Sequence, residues 1–198
     1  MSRPSEDEFA RLQRLAYEIS EELDANGFRV DQALGRHPAF NDGRAVTSVL
    51  ERSIIKFSAA RAASVAGVFP RKVSGGLEIL SSDDGIFRSY RMKLARRRQD
   101  GSIDLVCGAN SALLRTSEPE GLFERAENWI LGCILTSDHH AKELFVGEIV
   151  DWVGENPVHL KLGAIIPLLP VGPPPGFTSD EEDDLGLDDL DEGDVDVA

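Results

Sequence analysis

The sequence predicts an α+β fold, with N-terminal helices followed by a mostly antiparallel β-sheet and then a disordered acidic C-terminal tail. Three observations predict this order. Apolar residues first recur at helical spacing, the period becomes two from Val73 onward, and the last 21 residues hold 11 acidic residues and no basic one. We therefore expect a single domain over residues 1–171, β-rich over 73–170, a Pro-rich linker over 172–177 and the tail over 178–198.

The charge of the chain is concentrated in that tail. The whole chain has 35 acidic and 21 basic side chains and a formal charge of −14, but residues 1–177 alone carry only −3. Apolar residues make up 41 % of the sequence, which is enough for one hydrophobic core. The acidic character therefore belongs to a separate segment and not to the body of the protein.

The first predicted helix covers about residues 5–25. Ser5 and Glu8 form a capping box at its start, and Asn26-Gly27 is a typical stop. One apolar stripe recurs between them at spacings of three and four, namely Phe9, Leu12, Ala16, Ile19 and Leu23. The stripe favours a helix packed on the core, with a seam between two copies of the chain, a homo-oligomer, as the alternative.

A second long helix is predicted over about residues 42–66, capped by Asn41 or Asp42 and ended by Gly67 and Pro70. Its buried side is expected to consist of the larger apolar residues, Val46, Val49, Leu50, Ile54, Phe57 and Ala60. The stretch Ala59–Ala66 is nearly all Ala, Ser and Arg, which favours a helix and allows close approach by a neighbour.

Short strands are predicted after the helices. Leu77–Leu80, Glu143–Val153 with a bulge at Gly147, and the alternating Val158–Leu162 all have strand character. Ser111–Arg115 is a further short strand candidate. The segment Trp129–Leu135 stays open, because a helix that starts after a second capping box either continues through it or gives way to a strand there.

The centre of the predicted sheet is a β-hairpin over Gly85–Gly108. Its first strand alternates apolar and basic residues, and Asp100-Gly101 is a strong turn signal because Gly adopts positive φ without penalty. A three-residue loop, Gln99–Gly101, would place Arg96 opposite Asp104 and Leu94 opposite Val106. We prefer this register because it pairs residues of similar or complementary character.

Six positive charges fall within the 11 residues from Arg88 to Arg98, and the sequence predicts that many of them share an outer face. The candidate binding residues are Arg88, Tyr90, Arg91, Lys93, Arg96, Arg97 and Arg98. Basic residues interleaved with aromatics on a sheet can bind single-stranded nucleic acid. The same patch could bind an acidic protein segment, or be a solvated face in which Arg96 or Arg97 pairs with Asp104.

The tail alternates acidic and aliphatic residues, which is typical of a segment that folds onto a partner. Its candidate partner-binding residues are Leu185, Leu187, Leu190, Asp188, Asp189 and Asp191. About 20 flexible residues span roughly 25 Å, so the tail could contact a basic surface of its own body or of a second copy. In architecture alone, the linker and tail resemble the Pro/Gly linker and acidic C-terminal peptide of bacterial single-stranded DNA-binding proteins, without a terminal aromatic residue and with no residue role carried over.

No pattern of residues indicates a catalytic site, a metal site or a cofactor. Asp138-His139-His140, even with Cys133 and His159, does not have the spacing of a zinc site and is interpreted as a polar loop. Two groups of acidic residues near a lysine loosely resemble the site of a metal-dependent nuclease, but the sequence does not show that they converge. The groups are Asp83 and Asp84 before Arg91-Met92-Lys93, and Glu148 and Asp151 before Lys161. An enzyme of unknown class is therefore the least favoured function.

The remaining expectations concern location and partners. Cys107 and Cys133 lie in apolar surroundings and are expected to be buried and reduced. The start of the chain has no apolar signal-peptide region, and no apolar run is long enough for a membrane span. We expect a cytoplasmic, non-catalytic binding or regulatory protein that engages a protein partner through its hairpin and tail, with nucleic acid as the alternative partner and no membrane.

Overall fold

The helices precede the strands in this computed structural model, which describes residues 3–40, 44–73, 76–83, 86–108, 111, 114, 127–155 and 157–168. The helices are α1 (Glu6–Asn26), the short α2 (Arg29–Leu34) and α3 (Arg44–Ala66), with a 3-10 turn at Pro38–Phe40. The strands in these ranges are β1 (Phe69–Val73), β2 (Gly76–Asp83), β3 (Ile86–Leu94), β4 (Arg96–Arg97), β5 (Ile103–Asp104), β6 (Val106–Cys107), β7 (Glu127–Leu135), β8 (Ala141–Val153) and β9 (Val158–Pro167). The predicted α+β fold class is confirmed.

Seven of these strands form one curled sheet in the order β1-β2-β3-β7-β8-β9-β6, and β4 and β5 form a separate two-stranded ribbon. Neighbouring strands of the large sheet are antiparallel except β3 and β7, which are parallel. A parallel pair needs a long crossover between its strands, and here the chain from residue 95 to residue 126 supplies it.

Helix α1 begins and ends where its sequence signals predict. The Ser5 side-chain oxygen accepts a hydrogen bond of 3.2 Å from the backbone N–H of Glu8, and the Gly27 N–H donates to the Leu23 carbonyl at the other end. The apolar stripe faces the core, with Leu12, Leu15, Ala16, Ile19 and Leu23 fully buried. The Glu8 side chain does not return to the cap but enters the protein interior.

Helix α3 is present, and the prediction of its buried side is right only in part. Ile54 and Ala60 pack against the core, whereas Val49 and Phe57, expected to be buried, are 53 % and 54 % exposed. The buried residues are one position further along and mostly small: Ile55, Ser58, Ala59, Ala62, Ala63 and Ala66. The predicted close approach at Ala59–Ala66 explains this rotation, because small side chains let α3 pack tightly against α1 and the sheet. The predicted cap at Asn41 or Asp42 lies outside the described residues.

Each face of the sheet covers a hydrophobic cluster. One cluster joins the sheet to α1 and α3, with Tyr90, Trp129 and Leu131 among its sheet residues. The other lies on the opposite face, where Ala95, Leu105 and Cys107 pack with apolar residues of β7, β8 and β9. The Phe145 ring crosses its direct neighbour Gly132, a position where any Cβ would overlap it.

The predicted hairpin is right at its tip and wrong in its body. At the tip, Arg96 pairs with Asp104 and Arg97 with Ile103, and the three-residue loop Gln99–Gly101 has Gly101 at a φ of 82°. Beyond the tip the two arms separate. Leu94 pairs with Cys133 on β7, whereas Val106 pairs with His159 on β9, so the predicted pair of Leu94 and Val106 is absent. The arms separate because each finds a longer strand to pair with than the other could offer.

The open question over Trp129–Leu135 is settled as a strand, and the register of β8 against β9 shifts just after Gly147, where the bulge is predicted. Of the candidate strand Ser111–Arg115, only Ser111 and Leu114 are described, and the Leu114 N–H donates to the Ser111 carbonyl in a turn. The second capping box, at Ser117–Glu120, the linker and the acidic tail lie outside the described residues. None of the described helices has the length and apolar character needed to cross a membrane.

Candidate functional site

The basic run divides into a buried and an exposed part. Arg88 is only 2 % exposed, and its guanidinium donates to the fully buried carboxylate of Glu8 on α1. The Tyr90 hydroxyl donates to the other oxygen of the same carboxylate at 2.9 Å. The expectation that Arg88 lies on the outer face is therefore wrong, because the Glu8 carboxylate draws it into the core between helix and sheet.

Arg91 is also buried, on the other face of the sheet. It donates to Glu78, which lies directly opposite it on β2, and Arg71 on β1 donates to the second oxygen of the same carboxylate at 2.6 Å. Burial acts to raise the pKa of Glu78, but the hydrogen bonds from Arg71 and Arg91 outweigh it, so the pKa is lowered. Arg91 therefore belongs to a three-strand ion cluster and is not an exposed binding residue.

Lys93 is partly buried and has no salt bridge within the described residues. Desolvation is the largest influence and lowers the pKa of its ammonium; Cys107 opposes this effect, and the positive charges of Arg91, Arg52 and Lys56 each add a smaller lowering. The environment of Lys93 is therefore unfavourable for its charge. This residue marks the boundary between the buried and the exposed parts of the run.

Arg96, Arg97 and Arg98 are exposed, as predicted for the hairpin tip. Arg97 donates to both carboxylate oxygens of Glu143 on β8, and Arg98 contacts Asp104 at 2.6 Å. The expected partner of Asp104 was Arg96 or Arg97, so this pairing is wrong by one or two positions. Arg96 makes no hydrogen bond or ion pair in the part of the chain that the structure describes, which leaves it available to a ligand.

Arg96 and Arg97 line a cavity of about 570 Å³ between the start of α3, the end of β3 and the turn from β7 to β8. We call this the basic cavity. Its lining residues are Arg44, Thr47, Glu51, Leu94, Ala95, Arg96, Arg97, Ile134, Leu135, Ser137, His139 and Lys142. Among the described residues, Arg44, Arg96 and Lys142 have no hydrogen-bond or ion-pair partner, and a volume of this size is ordinary for a ligand pocket.

His139 forms part of the cavity wall and joins three elements. The residue is 5 % exposed and has a φ of 64°, and its Nε2 lies 3.2 Å from Asp31 Oδ1 on α2. Its Nδ1 lies 3.3 Å from Glu51 Oε1 on α3, without hydrogen-bond geometry. The turn that carries His139 therefore contacts both α2 and α3.

The two histidines do not converge on a common ligand. His140 is exposed, and its Nδ1 lies 2.7 Å from Asp24 on α1, away from His139. Within the described residues no three His, Cys, Asp or Glu side chains are placed to hold a metal ion. Asp151, which was considered as a nuclease carboxylate, is exposed and contacts Lys161 at 3.0 Å.

Both cysteines are free thiols and buried. Burial raises the pKa of Cys133 to about 12, with a smaller contribution from the charge of Glu51. A thiol that ionises so weakly is a poor nucleophile and a poor metal ligand. Cys133 therefore has the structural role that its apolar sequence context predicts.

Sequence reasoning found Arg96 and Arg97 but missed the other cavity residues. Arg44 and Lys142 are isolated charges almost a hundred positions apart, and only the packing of α3 beside the β7–β8 turn brings them together. His139 was noticed, but as a polar loop residue. No local pattern could have placed these side chains around one cavity, because their proximity depends on tertiary structure.

Comparisons with protein-family models, with curated proteins and with solved structures found no match to this chain.

Proposed function

We propose that this protein is a cytoplasmic, non-catalytic binding protein that holds an acidic segment of a protein partner in the basic cavity. The observation that carries the proposal is the group Arg44, Arg96 and Lys142, three cations around one cavity that have no acidic partner in the described residues. Arginine guanidinium groups bind carboxylates in a bidentate manner, and cations left without an internal partner are available for such contacts.

The cavity also has an apolar part that suits a peptide. Leu94, Ala95, Ile134 and Leu135 line it beside the cations. Leu94 and Leu135 are partly exposed, so a peptide that alternates carboxylates with aliphatic side chains would place the former on the cations and the latter on these two leucines. Sites of this kind combine an apolar surface with a few polar groups that fix orientation.

Single-stranded nucleic acid is the alternative ligand, since phosphates bind the same cations. Binding of single strands usually depends on exposed aromatic rings on which bases stack. Tyr90 is fully buried and Trp129 is 4 % exposed, and no Phe, Tyr or Trp lines the cavity among the described residues. The absence of an exposed stacking ring among the described residues of the cavity favours the acidic peptide.

The test is a binding titration followed by fluorescence anisotropy at low salt. The probes are a labelled peptide of alternating Asp and Leu and a labelled oligothymidylate of about 12 nucleotides, a length within the range of single-strand binding sites. We expect the peptide to bind the full chain, and Arg96→Glu with Lys142→Glu to weaken it by about tenfold or more, because each reversal removes an attraction and adds a repulsion. The matched control is Arg14→Glu with Arg36→Glu, which makes the same charge change at two exposed residues outside the cavity.

Three results would contradict the proposal. Equal weakening by the control pair would show that the peptide responds only to net charge. Tighter binding of the oligonucleotide than of the peptide, lost in the cavity variant, would favour nucleic acid instead. Absence of peptide binding to the full chain at low salt would remove the basic cavity as an acidic-peptide site.

A further inference from the structure

A second surface combines apolar and basic residues, on the other side of the β4–β5 ribbon. It is a groove of about 730 Å³ between that ribbon and strands β8 and β9, and we call it the ribbon groove. Its apolar residues include Val150, Val153 and Ile165, which are 53 %, 46 % and 43 % exposed. Soluble monomers rarely leave several neighbouring aliphatic side chains this exposed without a partner.

Basic residues flank these apolar side chains. Arg98 and Lys161 line the groove, and each contacts an acidic residue of the body, Asp104 at 2.6 Å and Asp151 at 3.0 Å. Lys161 and Asp151 are both more than half exposed, Arg98 is 51 % exposed and Asp104 is 28 % exposed, and exposed pairs contribute little to stability. The two cations can therefore exchange these partners for carboxylates of an incoming segment at low cost.

The chain itself contains a segment of matching chemistry. Residues 185–191 place Leu185, Leu187 and Leu190 among three aspartates. An occupant with aliphatic side chains for the groove floor and carboxylates for its rim is what the ribbon groove requires. A purely acidic segment would leave the aliphatic side chains uncovered, and a purely apolar one would make no contact of opposite charge with Arg98 and Lys161.

The length of the chain after β9 allows this contact. Leu168 is buried beside β8, where its N–H donates to the Leu144 carbonyl at 2.8 Å. Ile165 of the groove lies three residues before it on β9, about 10 Å away, and the partner of Val153, His159, lies nine residues before it, about 30 Å away at the usual rise of a strand. Leu185 follows Leu168 by 17 residues, a length that spans at most about 56–61 Å when fully extended. The segment can therefore reach the groove from its own point of attachment.

A third groove has similar chemistry but less exposed aliphatic surface. It lies between α3 and strands β1 and β2, with Phe57, Val73 and Leu77 beside Lys56 and Lys72, and measures about 510 Å³. Of its two aliphatic residues, Leu77 is only 3 % exposed and Val73 is half-buried, whereas the three aliphatic residues of the ribbon groove are 43 % exposed or more. The ribbon groove therefore offers leucine side chains more apolar surface to cover.

We propose that residues 185–191 dock in the ribbon groove of their own molecule, with the leucines on Val150, Val153 and Ile165 and the aspartates at Arg98 and Lys161. This contact is separate from the acidic-peptide binding proposed for the basic cavity and does not depend on it. Arg97 lines both surfaces, so a docked segment would also bring negative charge close to the basic cavity.

The test is paramagnetic relaxation in the full chain by methyl NMR. A nitroxide label is attached at Gly186→Cys, since Cys107 and Cys133 are buried and should not react with the reagent. We expect the methyl signals of Val150, Val153 and Ile165 to lose most of their intensity, and those of Val73 and Leu77 in the third groove to keep theirs. Leu185→Ser, Leu187→Ser and Leu190→Ser together should restore the lost signals, whereas Val195→Ser with Val197→Ser should not.

Dilution with unlabelled chain separates contacts within one molecule from contacts between molecules. The loss should persist on dilution if the segment docks on its own body. A loss of signal that disappears on dilution would mean that the segment docks on a second copy, and it would overturn the proposal. Unchanged methyl signals of Val153 and Ile165, or a stronger loss of signal in the third groove, would overturn it as well. Peptide binding to the basic cavity is measured separately with Arg96→Glu and Lys142→Glu, so either proposal can fail while the other stands.

Discussion

Arg88 and Arg98 lie ten residues apart in one basic run, but the first is buried and the second is exposed. Arg88 is 2 % exposed and contacts a fully buried glutamate, whereas the side chain of Arg98 is 51 % exposed and contacts an aspartate on the protein surface. Arg91 repeats the first case and Arg97 the second. Residue type is the same in the two halves of the run, so it does not explain the difference.

The difference is set by the acidic partners. Glu8 comes from the first turn of α1 and Glu78 from the strand next to β3, and both are carried into the interior by elements that bury their other side chains. A buried carboxylate needs a cation, and the nearest arginines on β3 satisfy it. At the hairpin tip the acidic partners, Asp104 and Glu143, are themselves near solvent. An arginine on this sheet is thus buried where a buried glutamate faces it.

The largest effect should come from Glu8→Gln, which leaves the buried Arg88 without its carboxylate partner. We expect the free energy of unfolding to fall by about 3 kcal/mol or more, since removing one member of a fully buried, hydrogen-bonded ion pair is strongly destabilising. Urea denaturation followed by circular dichroism measures it. The control is Glu21→Gln on the exposed side of the same helix, which should change stability by less than about 0.5 kcal/mol.

A companion variant tests whether charge is the cause. Arg88→Met added to Glu8→Gln should recover part of the loss, because it removes the cation that has been left without Glu8. If the double variant is less stable than Glu8→Gln alone, or if Glu8→Gln leaves the midpoint unchanged, the buried pair does not stabilise the packing of α1 on the sheet.

Glu78→Gln should have a smaller effect that depends on pH. At pH 7 we expect a loss of about 2 kcal/mol, the size typical of hydrogen bonds to charged groups. The pKa of Glu78 in the folded protein is lowered below its ordinary value of 4.5, so its contribution is complete above pH 4.5 and disappears as the pH falls through the lowered value. The difference between wild type and variant should therefore shrink in acid, and a difference that stays constant from pH 7 down to pH 2 would rule out the ion cluster as its source.

Sequence reasoning succeeded where structure is local. The cap at Ser5, the stripe through Ile19 and the stop at Gly27 define α1 without reference to the rest of the chain, and the Asp100-Gly101 turn fixes the register of Arg96 against Asp104. In each case the responsible contacts join residues only a few positions apart, and such contacts follow rules of spacing and backbone conformation.

It failed where the outcome depends on distant partners. Leu94 pairs with Cys133 rather than Val106 because β7 lies beside β3, a fact no local pattern contains. The burial of α3 was assigned to Val49 and Phe57 from their size, but the closest interface selects small residues such as Ala59. The basic cavity depends on the same long-range packing, which explains why the sequence pointed to its Arg96 and not to Arg44.

In the exposed half of the run, the ion pair of Arg97 with Glu143 should contribute little to stability. A double-mutant cycle of Arg97→Ala and Glu143→Ala should give a coupling free energy of about 0.2–1 kcal/mol, because both side chains are partly exposed. The coupling should weaken between 0.1 M and 1 M salt as screening increases. A coupling as large as that of Glu8 with Arg88, or one insensitive to salt, would mean that exposure does not distinguish the two halves of the run.

Replacing Lys93, which lies between the two halves of the run, should change the free energy of unfolding least, and it should raise that free energy instead of lowering it. Lys93 is partly buried with no carboxylate partner among the described residues, and desolvation together with neighbouring cations lowers its pKa, so folding works against its charge. Lys93→Met keeps most of the apolar stem and removes the charge, and we expect unfolding to cost about 0.5 kcal/mol more at pH 7. Because the folded pKa lies below the ordinary value of 10.5, the penalty is complete below the folded pKa and vanishes above 10.5, so the gain should disappear in strong base.

Lys72→Met on the exposed edge strand β1 is the control and should be neutral at both pH values. A loss of stability in Lys93→Met at pH 7 would show that the ammonium makes a favourable contact, and that this part of the run belongs with Arg88 and Arg91.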